Sequence, residues 1–379
     1  MKKEDVLGTI AYIVMLGLAA VYIFVILAPR ALESGLGDLY FLFNLGGLIA
    51  GALFHALFFE IAHVIGAKIG GYKVTYVSVL GLTLKKEDKK WKFCFSDFKG
   101  LTGETRIAPN RDDVNKCNPY PHLFAGTIFY IVELIFVLVF FFLFKDELGP
   151  ISNAAYFLLD MILVGTMFIF YNIIPTKLDC LTDGYNLSLF ANPKNREAYN
   201  ELIRVNYELS LGNNVEIKIF DEITNFTTDL NMNKVYMLYS DNQTEEAEKI
   251  IDKIIAERES ISYDVYLKVK AEKIFVKFMN LSSEEMMIYY EKEVPLSERH
   301  DIASLNYLSC IRAYLLMSGL GDKSRSECLV CLNKVNKALK RVPEKIKNIE
   351  IKLFNSALEK VCSAHEKWEL EKYIISTKK

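Results

Sequence analysis

Charge of either sign is nearly balanced in this 379-residue chain: 45 Lys and Arg against 47 Asp and Glu leave a net of −2 at pH 7. No strongly basic domain or stripe results, which argues against a nucleic-acid partner. Cysteine is sparse. Its seven members (Cys94, Cys117, Cys180, Cys310, Cys328, Cys331, Cys362) are scattered and odd in number, so a disulfide framework is not expected. Cys328 and Cys331 form a lone C-x-x-C pair with no second pair or His nearby, whereas a structural zinc site needs four ligands; they read as core packing. Histidine is scarcer still, at five, and His300 and His365 in the second half read as surface or helix residues. No internal repeat recurs at a clean period. Beyond about position 190 there are no long apolar runs.

What the chain does have is concentrated before that point. Hydrophobic residues make up 51%, with 25 Phe and 21 Tyr, and the length allows two domains. Val6–Ala28 carries no charge and is long enough to cross a ~30 Å hydrocarbon core. It exceeds a signal-peptide apolar region and no small-x-small site precedes Pro29, so a retained membrane helix is expected. A second span covers 39–66, with Gly46, Gly47 and Gly51 permitting close helix approach. The third covers 123–144 and the fourth 151–174. Glu133 and Asp160 interrupt them. Neither has an evident basic partner in a span, so each is expected to face a neighbouring helix, protonated or hydrogen-bonded.

Between the second and third spans, residues 67–121 change character. Tyr72–Leu80 and Trp91–Ser96 are rich in β-branched and aromatic residues, and the charged stretch Lys85–Lys90 separates them: a β-hairpin with a solvated turn, attraction to anionic headgroups being a minor alternative. Gly100, Gly103 and Ala108-Pro109-Asn110 read as a loop. This segment carries eleven Lys and Arg, from Lys68 to Lys116, against Arg30 and Lys145 on the other side. The positive-inside rule then places the hairpin and both termini in the cytoplasm of a multi-pass cell-membrane protein. From 191 to 379 the pattern is soluble and helical. Glu245–Glu259, Tyr263–Met279, Ile302–Leu316 and Cys328–Leu339 show three- and four-residue apolar spacing, which suggests a tetratricopeptide-style helix-hairpin array that binds a partner or packs on the membrane domain.

The chemistry-bearing residues lie at the ends of the second and fourth spans. Phe54–Tyr72 reads F-H-A-L-F-F-E-I-A-H-V-I-G-A-K-I-G-G-Y, and Tyr171–Leu187 reads Y-N-I-I-P-T-K-L-D-C-L-T-D-G-Y-N-L. Glu-x-x-His alone is a weak signal. Paired with Asn-x-x-Pro…Asp-Gly at the same membrane face, it resembles the site-2 protease family of intramembrane zinc metalloproteases, in the bacterial branch where Asp-Gly follows several residues after Asn-x-x-Pro and precedes Tyr-Asn. The hydrophobic plan and the Thr102-Gly…Ala108-Pro109 segment are also similar. The resemblance covers about positions 1–200.

It implies His63 and Asp183 as zinc ligands and Glu60 as general base. Asn172 and Pro175 would shape the substrate and ligand loop, and Gly184 would allow its turn. Asp179 is a second carboxylate that could ligate in place of Asp183, which could itself cap a helix starting at Tyr185. The sequence departs from the family at Phe59, where the pattern His-Glu-x-x-His has its first histidine. A catalytic zinc site normally has three protein ligands and one open position, and loss of an imidazole leaves Glu60 no metal-activated water. His55 lies eight residues before His63, about 12 Å along the helix and ~80° around it, so it reads as a contact within the bundle; His122 is an outside candidate for the missing ligand.

The expected fold is an α-helical membrane protein of four transmembrane helices (domain 1–190) with a small β-hairpin insertion and a soluble all-α tail (191–379). The expected function is a pseudoprotease with an incomplete zinc site that keeps a groove for a membrane peptide or protein. An active metalloprotease with a non-standard third ligand is the alternative. A transporter using Glu133 and Asp160 fits less well, because four spans without an internal repeat lack that architecture.

Overall fold

A computed structural model describes residues 3–29, 38–87, 90–95, 103–110, 114–146, 150–175, 182–340 and 342–376. Contacts divide the chain into two compact units, Met1–Asn200 and Glu201–Lys379. In the first, four helices are long and apolar enough to cross a membrane, over Gly8–Leu27, Leu39–Ile69, Tyr120–Phe144 and Ser152–Ile173. They belong to α1 (Lys3–Val21, extended by a π-helical turn over Tyr22–Leu27), α2 (Asp38–Ile69), α3 (Tyr120–Phe144) and α4 (Pro150–Ile173). Helices α2, α3 and α4 pack against one another. Their outer faces carry exposed large apolar side chains, among them Phe41, Leu42, Val132, Phe136 and Leu143.

Small residues set the helix spacing. A Cβ on Gly51 would lie 2.7 Å from the Met161 Cα, and one on Gly66 would lie 2.2 Å from the Pro121 carbonyl oxygen. Gly47 abuts the Asp160 side chain, whereas Gly46 faces open space and plays no part in the close approach expected of it. Both carboxylates within the apolar helices have partners. Glu133 Oε2 lies 3.0 Å from His55 Nε2, poorly aligned for a hydrogen bond, and Asp160 accepts from the Tyr22 hydroxyl. The expectation that Glu133 lacks a basic partner is therefore corrected. That partner sits 78 residues earlier, on a different helix, where local reading could not find it.

Between α2 and α3 stand four antiparallel strands in the order β3-β2-β1-β4: β1 Tyr72–Val79, β2 Leu82–Glu87, β3 Lys90–Phe95 and β4 Gly103–Pro109. Two sequence expectations change here. Lys85–Glu87 is not part of a long charged turn but the end of β2, because the chain already reverses at Leu80 and Gly81. Those two residues have φ of +48° and +84°, the paired positive values of the tight hairpin turn whose twist matches the flanking strands. Gly103–Pro109 is not a loop, since it pairs along β1 from Val79↔Gly103 to Tyr72↔Pro109, with an irregularity between Val74 and Tyr76. The sheet packs on the last turns of α2 through β1 and β4.

Two short elements close the unit: α5 (Asp183–Leu189) and the first turns of α6 (Pro193–Ser210). Asn200 ties α6 to the rest, accepting from the Tyr72 hydroxyl at 2.5 Å and donating to the Cys117 carbonyl at 3.2 Å.

The second unit is mainly helical, with α7 (Asn225–Ser240), α8 (Thr244–Ala256), α9 (Tyr263–Asn280), α10 (Ser283–Glu293), α11 (Leu296–Ser304), α12 (Leu308–Leu316), α13 (Arg325–Leu339) and α14 (Glu344–Ala364), and residues 211–224 before α7 are irregular. Ile302–Leu316 is thus two helices broken at residues 305–307, not one. A large apolar core joins α7 to α14 and includes Cys328 and Cys331. Inside it Arg312 of α12, wholly buried, donates to Glu272 of α9 at 2.6 Å and to Glu350 of α14 at 2.5 Å. Three helices are joined at one guanidinium.

Candidate functional site

His63 and Phe59 lie one turn apart on α2 and share a face. Opposite them α3 begins, and the two helices are cross-linked by a reciprocal pair of bonds. His63 Nδ1 meets the His122 carbonyl at 2.9 Å, and His122 Nδ1 meets the His63 carbonyl at 3.0 Å. A carbonyl can only accept, so both rings carry their proton on Nδ1, and in the neutral ring Nε2 keeps its lone pair. The outward Nε2 of His63 lies 3.5 Å from Asp183 Oδ2. That is too long for a good hydrogen bond, but it suits two donors of one tetrahedral ion with bonds of ~2.0–2.1 Å.

Asp183 is held in place by Asn172. The Asn172 amide donates to Asp183 Oδ2 at 2.7 Å, and Asn172 Oδ1 accepts from the Asp183 backbone N–H at 3.2 Å. The last turn of α4 thereby clamps the start of α5 at both ends of one residue. Burial pushes the Asp183 carboxyl above its ordinary range, against the opposing pull of His63 and of the Asn172 hydrogen bond. Thr182, not Asp183, is the N-cap. Its hydroxyl accepts from the Tyr185 N–H at 3.2 Å and donates to the Ile174 carbonyl at 2.8 Å. The helix starts at Asp183 rather than Tyr185, which corrects the capping expectation and leaves the carboxylate free to face His63.

Gly184 also serves differently from expectation. Its φ is not among the positive ones; instead a Cβ there would sit 1.8 Å from the Ile173 carbonyl oxygen. Glycine is required because two backbones touch, not because the chain must turn. Pro175 follows α4 directly and is partly buried, and Asp179 lies outside the described residues.

Glu60 is buried on the same helix and accepts from the Thr105 hydroxyl of β4 at 2.5 Å. The sheet, read from sequence only as an insertion, thus reaches the site. A hydroxyl on a strand taken for a loop gave no signal from which to find it. His122 stands out in the sequence only by its place at the start of the third apolar span, and the mutual carbonyl bonds have no spacing signature.

Phe59 completes the site. It is 2% exposed and packs edge-on against Phe168 with ring centroids 6.3 Å apart. A point one Cβ bond from Gly126 lies 2.8 Å from the Phe59 ring and 3.5 Å from His63 Nε2. The benzene ring therefore stands beside the imidazole edge, where the pattern His-Glu-x-x-His would bring a second nitrogen. His55, one turn earlier than Phe59, is engaged elsewhere: its Nδ1 donates to the Gly51 carbonyl at 2.7 Å and its Nε2 faces Glu133.

Tested against a catalytic zinc ion, the donor set among the described residues falls one short. His63 Nε2 and Asp183 Oδ2 are close enough together for two donors of such an ion, and beside them Phe59 presents a hydrocarbon ring. Among the described residues no group of three or more His, Cys, Asp and Glu side chains is arranged to hold a metal ion. Fold and site together define a helical protein with four membrane-length apolar helices, a partly buried His63–Asp183–Asn172 cluster and Glu60 bonded to a small sheet one turn away. No protein-family model, curated protein or solved structure matches the chain.

Proposed function

We propose that the chain is an integral membrane pseudoprotease of site-2-protease type. It retains a groove for a membrane peptide or partner protein and lacks the zinc site needed to cleave it. Exposed apolar side chains around four long helices support insertion in a bilayer, since lipid-facing surfaces need no polar cover. The charge bias of residues 68–116 supports cytoplasmic placement of the sheet, both termini and the helical tail, in a cell membrane. The observation that carries the functional reading is Phe59: an aromatic ring packed at the first-ligand position, while Glu60, His63, Asn172 and Asp183 keep the arrangement around it.

In this reading Asn172 and Asp183 persist as a structural clamp, and Glu60 serves β4 through Thr105 rather than activating water. The tail offers a helical surface to a partner of its own. A second reading has one observation in its favour. His122 stands against His63 with ring centroids 5.0 Å apart, so its imidazole could supply a third nitrogen to an active metalloprotease after a side-chain shift.

Zinc content of the detergent-purified protein separates the two. The pseudoprotease reading expects well under one equivalent in the unmodified chain and about one in Phe59→His, lost again when His63→Ala is added; losing an imidazole ligand should cost more than the roughly 10- to 100-fold typical of outer-shell changes. Stoichiometric zinc in the unmodified protein, abolished by His122→Ala, would establish the second reading instead.

A further inference from the structure

The hairpin of β2 and β3 has an apolar face that stays exposed among the described residues. Strand alternation and register set Leu82, Leu84 and Lys86 on one face with their cross-strand partners Phe95, Phe93 and Trp91. The five apolar members are between 47% and 80% exposed, and Phe93 and Phe95 meet edge-on at 5.4 Å. An exposed apolar cluster of this kind on a sheet edge is a liability unless something covers it.

We infer that this hairpin face lies in the headgroup–acyl boundary of the bilayer, as an interfacial anchor for the sheet; the inference rests on the reading that the four long helices span a membrane. Three observations select lipid as the occupant. First, the sheet starts three residues after α2 ends, and Ile65 and Ile69 at that end are themselves 54% and 71% exposed, so the helix from which the sheet departs carries exposed apolar surface up to its last turn. Second, Lys86 and Lys90 are exposed near the hairpin tip and Lys92 on the opposite face, cations suited to anionic headgroups. Third, Trp91 sits between the lysines and the apolar residues, the amphipathic ring preferred at headgroup depth. The depth is bounded too. β3 is an edge strand, and its unpaired N–H and C=O groups could not be satisfied in the hydrocarbon core. Insertion of about 5–10 Å suits such an element.

Only two tryptophans occur in the chain, so Trp368→Phe leaves Trp91 as sole reporter. The full chain carrying that change is reconstituted in phosphatidylcholine–phosphatidylglycerol vesicles brominated at shallow or deep acyl positions. Co-flotation with the vesicles is checked first, and its failure would remove the membrane reading and this inference with it. In floated protein, Trp91 fluorescence should be quenched more by shallow than by deep bromines, and iodide quenching should be several-fold below that of free tryptophan. Phe93→Asp with Phe95→Asp should reverse both effects. Floated protein whose Trp91 ignores bromine overturns the inference and leaves the membrane reading standing, whether iodide reaches the ring or a protein surface covers it. Bromine quenching unchanged by the two Asp substitutions overturns it as well.

Discussion

Replacing Arg312 by Met should be among the most damaging single changes in the second unit. The guanidinium is fully buried and bonds two carboxylates at 2.5–2.6 Å, and Tyr236 donates to Glu272 at 2.9 Å. Removing the cation leaves two buried carboxylates facing each other, and breaking a buried pair from one side costs roughly 3–5 kcal/mol. For a unit of this size each kcal/mol lowers Tm by about 2–4 °C, so a fall of ~6–20 °C is expected. Trp368 lies in this unit, so Trp91→Phe makes its fluorescence a specific probe of unfolding. The loss should depend on pH. Burial already raises the Glu272 carboxyl above its ordinary range despite Arg312, and loss of the cation raises it further. A carboxyl whose folded pKa exceeds the unfolded ~4.3 binds its proton more readily in the folded state, so stability falls as pH rises through that window. The deficit should therefore be greatest at neutral pH and shrink on acidification toward about pH 4–5. Adding Glu272→Gln and Glu350→Gln removes the uncompensated charge and should recover most of the loss. A single-variant deficit below ~1 kcal/mol, the scale of an exposed pair, or a triple variant no better than the single, would refute this account.

Two further expectations follow from packing. Gly184→Ala forces a methyl against the Ile173 carbonyl and should lower the thermal midpoint by an amount matching ~1–3 kcal/mol of overpacking, whereas Gly46→Ala, which meets open space, should be neutral or slightly stabilising through helix propensity; equal effects would contradict the close approach of α4 and α5. Maleimide should label half-exposed Cys94 in the native protein while sparing Cys328 and Cys331, both buried; burial pushes the Cys328 thiol up to about 12, and peptide mass spectrometry reads the ratio.

The long apolar helices were legible because a run of twenty or more residues with at most one charge needs no partner to be recognised. Their observed limits differ from the expected ones by only a few residues: Leu39–Ile69 against 39–66, and Tyr120–Phe144 against 123–144. The sheet was half legible. β1 and β3 advertise themselves with aromatic and β-branched residues, but the charged Lys85–Glu87 is strand because it pairs with Lys90–Lys92 of β3, and Gly103–Pro109 is strand only because β1 offers it a pairing edge. The candidate site divides in the same way. Glu60, His63, Asn172 and Asp183 stand out in the sequence through the resemblance of two short segments to a family motif. Thr105 was not, nor was the reciprocal bonding of His122, since both depend on contacts across 45 and 59 residues. The Arg312 triad joins positions about forty apart, each an unremarkable helix residue when read alone.

The exchanged bonds between His63 and His122 bear on how this protein could change over time. They fasten α2 to α3 through ring protons and main-chain oxygens, using no atom that a metal would need. Neither the helix junction nor the orientation of His63 therefore depends on an ion being present. On the proposed reading, a lineage could lose or regain a ligand at position 59 while the surrounding architecture stayed folded, with chemistry and stability resting on different atoms.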